Sequence, residues 1–303
     1  MKAAAVLFAG LAVWSIVPRP AAAYVRYKSS SGKMFQWPQT CVLLTAYPQD
    51  LDAMMTTEET LGAIDAAAAT WSKEGDACTY LEITVQSSTD PTPRATNDGA
   101  NSVIFRTSNW CKLEPNGACD PAVPYDPAAL ALTSVSASTS TGTIRDADIE
   151  INAFRFDWAD LVSHPELRGG GQPFHDLQNA ATHEMGHLIG LDHTCYLDPP
   201  APLDQNGNPI PDCADASPDV LATTMFPSAN PGDIDKRTLA PDDQQAVCEI
   251  YPAAQDPKTC MPAEKMSSGC SCAMGAARSG GGWWLGAAAL LLVARPRRRR
   301  RRS

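Results

Sequence analysis

Three of the chain's five histidines fall in one short run, His183-Glu184-Met185-Gly186-His187-Leu188-Ile189-Gly190-Leu191-Asp192-His193, which fits H-E-x-x-H-x-x-G-x-x-H. On a helix, residues four apart share a face, so His183 and His187 can each aim a ring nitrogen at one ion. Glu184 lies on the flank of that face, suited to taking a proton from water. Gly190 permits a backbone conformation that a side chain disfavours, and the sharp exit it allows can bring His193 back to the same ion. Three imidazoles leave zinc an open fourth position, which separates a catalytic site from a structural one. An ion held this way lowers the pKa of water toward ~7 and polarises a carbonyl, with Glu184 as general base. A bare H-E-x-x-H arises by chance in long chains; the extended pattern fixes two glycine- and histidine-bearing positions more and is far more specific.

The elements that must position these residues can be read at low resolution. Asp176 to Leu191 is the most regular helical pattern of the chain and carries the motif. Upstream, Thr56 with Glu59 forms a capping-box signal, and Leu61, Ile64, Ala68 and Trp71 follow at helical spacing, predicting an amphipathic helix over 57–72. Tyr80 to Gln86 alternates as a strand does, and Val103–Phe105, Leu130–Ser138 and Ile144–Asn152 are further strand candidates. Thr107–Asp126 reads as a loop rich in Pro and Cys, and Gly169-Gly170-Gly171 as a break. A long Pro-rich loop is expected from Thr194 to about Leu221, and Pro241-Asp242-Asp243 opens a last helix toward Tyr251. The order describes an α+β plan.

The ends carry different signals. Lys2, the apolar run Ala3–Val17 and Ala21-Ala22-Ala23 make residues 1–23 a secretory signal peptide. Gly280–Ala294 is apolar and is followed by Arg295, Pro296 and Arg297–Arg302. As a helix its fifteen residues would span about 22 Å, short of the ~30 Å hydrocarbon core. With Ser268-Gly269-Cys270-Ser271-Cys272 just upstream, the last residues resemble the MYXO-CTERM class of bacterial sorting tails, which implies export, processing near Cys270 or Cys272 and retention at the cell surface. Membrane contact is expected through this tail alone. The organisation is then 1–23 signal peptide, 24–255 catalytic domain, 256–279 linker and 280–303 tail.

With 44% hydrophobic and 19% charged residues the composition is globular. Tyr24–Gly280 holds 15 basic against 34 acidic residues, a net charge of −19. Such a surface argues against a nucleic-acid partner. Ten cysteines in an exported chain point to disulfides. Setting aside Cys270 and Cys272 leaves eight, and proximity suggests Cys111–Cys119 and Cys195–Cys213 among about 105 possible connectivities.

The extended motif is similar to that of the metzincin metallopeptidases, whose zinc-binding segment is followed by a Met-turn; Met225 in Thr223-Thr224-Met225-Phe226-Pro227 resembles it. Gly190-Leu191-Asp192-His193-Thr194, Met225-Phe226-Pro227 and Leu239–Tyr251 resemble the matrixins within that group. The resemblance implies a zincin fold with a twisted mixed sheet, an active-site helix and a C-terminal subdomain with Met225 as a hydrophobic floor. It further implies zinc on His183, His187 and His193, Glu184 as base, and protein or peptide substrates, with a monomer expected. Asp146–Asn152 is similar to the strand that edges the matrixin cleft. Departures are plain. Only His164 and His175 remain for a second zinc, so one zinc is expected and both are read as surface histidines. Tyr24 to about Pro48 is too short for a cysteine-switch prodomain, and the connection from His193 to Met225 is longer than usual. Within it Asp204–Asp212 has spaced oxygen donors that could take Ca2+, but lacks the full EF-hand pattern and suits a plain Asx/Pro loop as well. The competing reading is a zinc-bearing surface adhesin without catalysis, against which Glu184 argues. A downstream Glu ligand is not needed once His193 serves, and no G-x-S-x-G supports a serine hydrolase.

Overall fold

The computed structural model describes residues 24–51, 54–72, 77–90, 92–114, 117–169, 171–260 and the backbone of 288–294. The capping box forms as the sequence predicts: the Glu59 carboxylate accepts from Thr56 N at 2.8 Å and Thr56 Oγ1 accepts from Glu59 N at 3.2 Å. Helix α1, Thr57–Trp71, therefore starts where expected, and it buries Ile64, Ala67, Ala68 and Trp71. The strands β1 (Cys41–Tyr47), β2 (Glu82–Ser87), β3 (Asn101–Arg106), β4 (Ala129–Ala137), β5 (Ile144–Asn152) and β6 (Ala288–Ala294) join one mixed sheet. Its order is β2-β1-β3-β5-β4-β6, closed by the two-residue strand Ser228–Ala229. The first four strands run parallel; β4 is antiparallel to β5, and β6 is antiparallel to β4. Helix α2, Leu177–Leu188, packs on α1 and on β4, and α3, Pro241–Ile250, closes the chain's body. The chain is thus α+β.

Several expectations shift. β1 went unread, because its outward positions Leu43 and Tyr47 are as apolar as the buried Val42, Leu44 and Ala46, which hides the alternation. The Thr107–Asp126 segment is not all loop: Cys111–Leu113 pairs with Cys119–Pro124 as a hairpin. β5 does not edge a cleft. It is paired on both sides, by β3 and β4, so the strand facing the helix-borne motif is β4. His175 is no surface residue: it is buried against Phe156, with ring centroids 5.4 Å apart, and burial lowers its pKa to about 4. His164 is partly exposed beside Glu166. Four disulfides are present, Cys41–Cys260, Cys78–Cys248, Cys111–Cys119 and Cys195–Cys213, the last two as proximity suggested. They fit an oxidising compartment.

The signal segment 1–23, the Cys270 and Cys272 motif, residues 280–287 and the arginine run lie outside the described residues. Within the apolar tail, 288–294 forms a strand where a helix was expected. Among the described residues no helix is long and apolar enough to cross a membrane.

Candidate metal centre

Helix α2 begins where Asp176 caps it, the carboxylate accepting from Asn179 N at 2.8 Å. Arg237 fixes that cap with two bonds of 2.8 Å to the same carboxylate. The helix ends at Leu188, three residues before the predicted Leu191. Gly190 has φ +100°, and a side chain there would run into the Phe35 carbonyl. Leu191-Asp192 then turns into a two-residue ladder with Val25-Arg26. The carbonyls left over at the helix end find specific donors: Trp37 Nε1 to Leu188 O at 2.9 Å, Tyr251 Oη to Ile189 O at 2.7 Å, and Tyr27 N to Gly190 O at 2.9 Å.

This exit brings the three histidines together. His193 Nε2 stands 3.3 Å from His183 Nε2 and 3.1 Å from His187 Nε2. His183 and His187 are fully buried. His183 Nδ1 donates to Thr224 O at 2.7 Å and His187 Nδ1 to Leu191 O at 2.9 Å. A carbonyl only accepts, so Nδ1 carries the proton and Nε2 presents its lone pair. Burial holds His187 at about 3 and lowers His183 and His193 as well, so the rings are neutral at physiological pH. Three imidazole nitrogens this close together suit a single electrophile between them. Nitrogens each ~2.05 Å from a tetrahedral ion stand about 3.3 Å apart, so the donor set fits zinc.

Glu184 is fully buried, and the Thr133 hydroxyl of β4 donates to its Oε2 at 2.6 Å. Thr133 carried no signal in the sequence beyond its place in a predicted strand. Met225 lies beneath the helix, fully buried, with its sulfur so near Gly186 that a Cβ there would collide with it. The turn holding Met225 is set by Asp243 of α3, whose carboxylate accepts from Thr224 N at 2.7 Å. Burial raises Asp243 to about 6. Sequence reasoning missed this residue too, although Asp243 sits in the first turn of a helix it did predict. Lys236 is buried beside the centre, donating to the Phe226 carbonyl and lying 3.4 Å from His183 Nδ1. A cavity of about 250 Å³ opens next to it, lined by Asn179, Thr223, Phe226 and Ser228 among others.

Asp204, at the head of the segment considered for calcium, spends its carboxylate on its own loop: Oδ1 accepts from Asn206 N and Asn208 N at 2.8 Å each. That is an Asx turn. Among the described residues, the other cluster of metal-ligating types, Cys41, Glu82 and Cys260, contains a disulfide. No protein-family model matches the chain, and no curated protein is significantly similar to it.

Proposed function

We propose that the chain is an exported zinc metalloendopeptidase of the metzincin type, closest in its motifs to matrixins. The observation that carries this reading is the convergence of three neutral Nε2 atoms beside a buried carboxylate that is held by a hydroxyl. The four disulfides support an extracellular or cell-surface setting.

His183, His187 and His193 would hold one zinc, which when bound supplies Lewis acidity and acidifies a coordinated water. Glu184 accepts a proton at a carboxylate oxygen and later delivers it to the leaving amine nitrogen. Thr133 fixes the other side of that carboxylate so that its orientation is set before substrate arrives. An extended peptide adds to the sheet along β4, whose Thr133 touches the base, and so passes the metal with its backbone in ladder geometry. The cavity lined in part by Lys236, whose amine lies 3.4 Å from His183 Nδ1, is sized for a substrate side chain.

The test uses the full chain and its Glu184→Ala variant, prepared oxidised. Both are incubated with a diverse peptide mixture, new termini are read by mass spectrometry, and metal content is measured. Once the tail is released, cleavage by the chain that keeps Glu184 and none by the alanine variant is expected, with one zinc in each. Zinc in both and cleavage by neither, even after tail removal, would turn the reading to a binding role; absence of zinc would refute it.

A further inference from the structure

β6 occupies the strip along which an extended substrate would add. It pairs antiparallel with β4 from Ala288↔Val135 to Val293↔Ala129, and parallel with Ser228-Ala229, three residues past Met225. In this register Leu290 stands opposite Thr133, the residue whose hydroxyl holds Glu184. Paired strands lie about 4.8 Å apart, so the tail backbone runs directly past the proposed general base. The strip is flanked by backbone on both sides, which leaves no ladder position on β4 for a second strand.

From this juxtaposition we infer that the C-terminal segment 288–294 is an occluding strand in cis, which keeps the full chain latent until the tail is released. The inference rests on the endopeptidase reading of the site. Cleavage anywhere between the body and the strand would free it. Twenty-seven residues separate Cys260, pinned to β1 by its disulfide, from Ala288. At ~3.3 Å per residue they reach up to roughly 90 Å, ample for closure onto the same chain. A tether of this kind sets an effective concentration on the order of mM, so even a weakly pairing strand stays bound. Charge favours the same seat: seven arginines at 295 and 297–302 follow the strand, and the body carries −19. The backbone edge of β4 and that of the tail strand thereby each satisfy the other. Export processing that removes the tail would then also open the site, coupling release to activity.

The experiment takes the zinc-loaded full chain with a recognition site for a sequence-specific protease inserted within residues 262–279. Hydrogen exchange of the β4 amides over 131–135 and cleavage of a quenched peptide are measured before and after release. Release should speed exchange at those amides that face β6 and raise kcat/KM at least ~10-fold. The uncut chain carrying Leu290→Pro and Leu291→Pro should behave as released, because proline gives the ladder no N–H. A synthetic peptide of residues 286–296 added to released protein should restore slow exchange. Equal exchange and equal activity in all preparations would overturn the inference. So would self-cleavage within 286–296 on zinc loading, which makes the tail a substrate rather than a plug. Altered exchange with no activity in any preparation would uphold the occluding strand and refute the endopeptidase reading, so the two failures are distinct.

Discussion

Thr133→Val removes the hydroxyl that β4 sets against the proposed base, 2.6 Å from Glu184 Oε2 and 3.2 Å from the Glu184 carbonyl. The position is fully buried, and valine nearly preserves the side-chain volume while deleting the hydroxyl that donates to Glu184 Oε2 at 2.6 Å. A hydrogen bond to a charged acceptor contributes about 1.5–3 kcal/mol. At 1.36 kcal/mol per tenfold in rate, its full loss in the reaction would lower kcat by ~10- to 100-fold. The bond is present before substrate binds, so only the part that strengthens in the transition state counts, which places the expectation near the lower end, about tenfold. KM should stay within about twofold and zinc content should not change, because Thr133 bonds to Glu184 and to none of the three histidines. Thr133→Ser restores the hydroxyl and should recover most of kcat. The assay is steady-state cleavage of a quenched peptide by tail-released protein, with metal analysis and a melting curve on each variant. A folded, zinc-loaded valine variant with unchanged kcat would refute the positioning role. Equal losses in the valine and serine variants would assign the effect to packing and not to the hydroxyl.

Asp148 on β5 gives a pH prediction. Burial, reinforced by the Asp146 carboxylate, raises it to about 9, while Ser102 N donates to it at 3.0 Å. The folded chain thus keeps a proton that the unfolded chain loses above the ordinary carboxylate value of 3.8, so this group's contribution to stability falls as pH rises from about 4 to about 9. Asp148→Asn should raise Tm at pH 8 and give no gain below about pH 4; equal melting temperatures at pH 8 would contradict the burial argument. At the Met225 turn, Asp243→Ala strands the buried Thr224 N–H at a cost of ~1–3 kcal/mol, and should weaken zinc affinity by about tenfold through Thr224 O on His183. Asp243→Asn keeps an acceptor for that N–H and should bind zinc normally; chelator competition decides, and an unaltered affinity in the alanine variant would break the proposed linkage.

The chemistry-bearing residues were legible because local spacing alone constrains them. His183 and His187 share a helix face by geometry, and Gly190 announces the turn that returns His193, so the cluster needs no knowledge of distant chain. Thr56 and Glu59 fix the start of α1 for the same reason. What was not legible depends on contacts far apart in sequence. Thr133 reaches Glu184 across 51 residues, and Asp243 reaches Thr224 across 19. The end of α2 was misread by three residues because Leu191-Asp192 is claimed by Val25-Arg26, a pairing no periodicity reveals. β1 was hidden by apolar residues on both its faces. His175 was misjudged because burial there comes from Phe156 and Trp158, not from its immediate neighbours' pattern. The 288–294 run was legible as apolar but not as a strand, since its length suits either conformation and only the partner β4 decides.

The disulfides and the candidate metal centre are parts of one construction. His183 is oriented by Thr224 O, Thr224 is held through its N–H by Asp243, and five residues further along α3 Cys248 is bonded to Cys78. From Cys78 the chain leads at once to Thr79 and Tyr80, which bond the Tyr251 carbonyl, while the Tyr251 hydroxyl closes the end of α2 at Ile189. Both ends of the histidine-bearing segment are therefore referred to α3 and its immediate continuation. Cys78 and Cys248 are 170 residues apart, and a crosslink of that span restricts the unfolded chain by an amount on the order of 5 kcal/mol. That is comparable with the whole stability of an ordinary domain, about 5–15 kcal/mol. Cys111–Cys119, which closes only a surface hairpin, has no such connection to the histidines. The contacts that orient His183 and close the helix end thus lie on the segments that this long-range crosslink joins, so reduction should destabilise the fold that carries the three histidines.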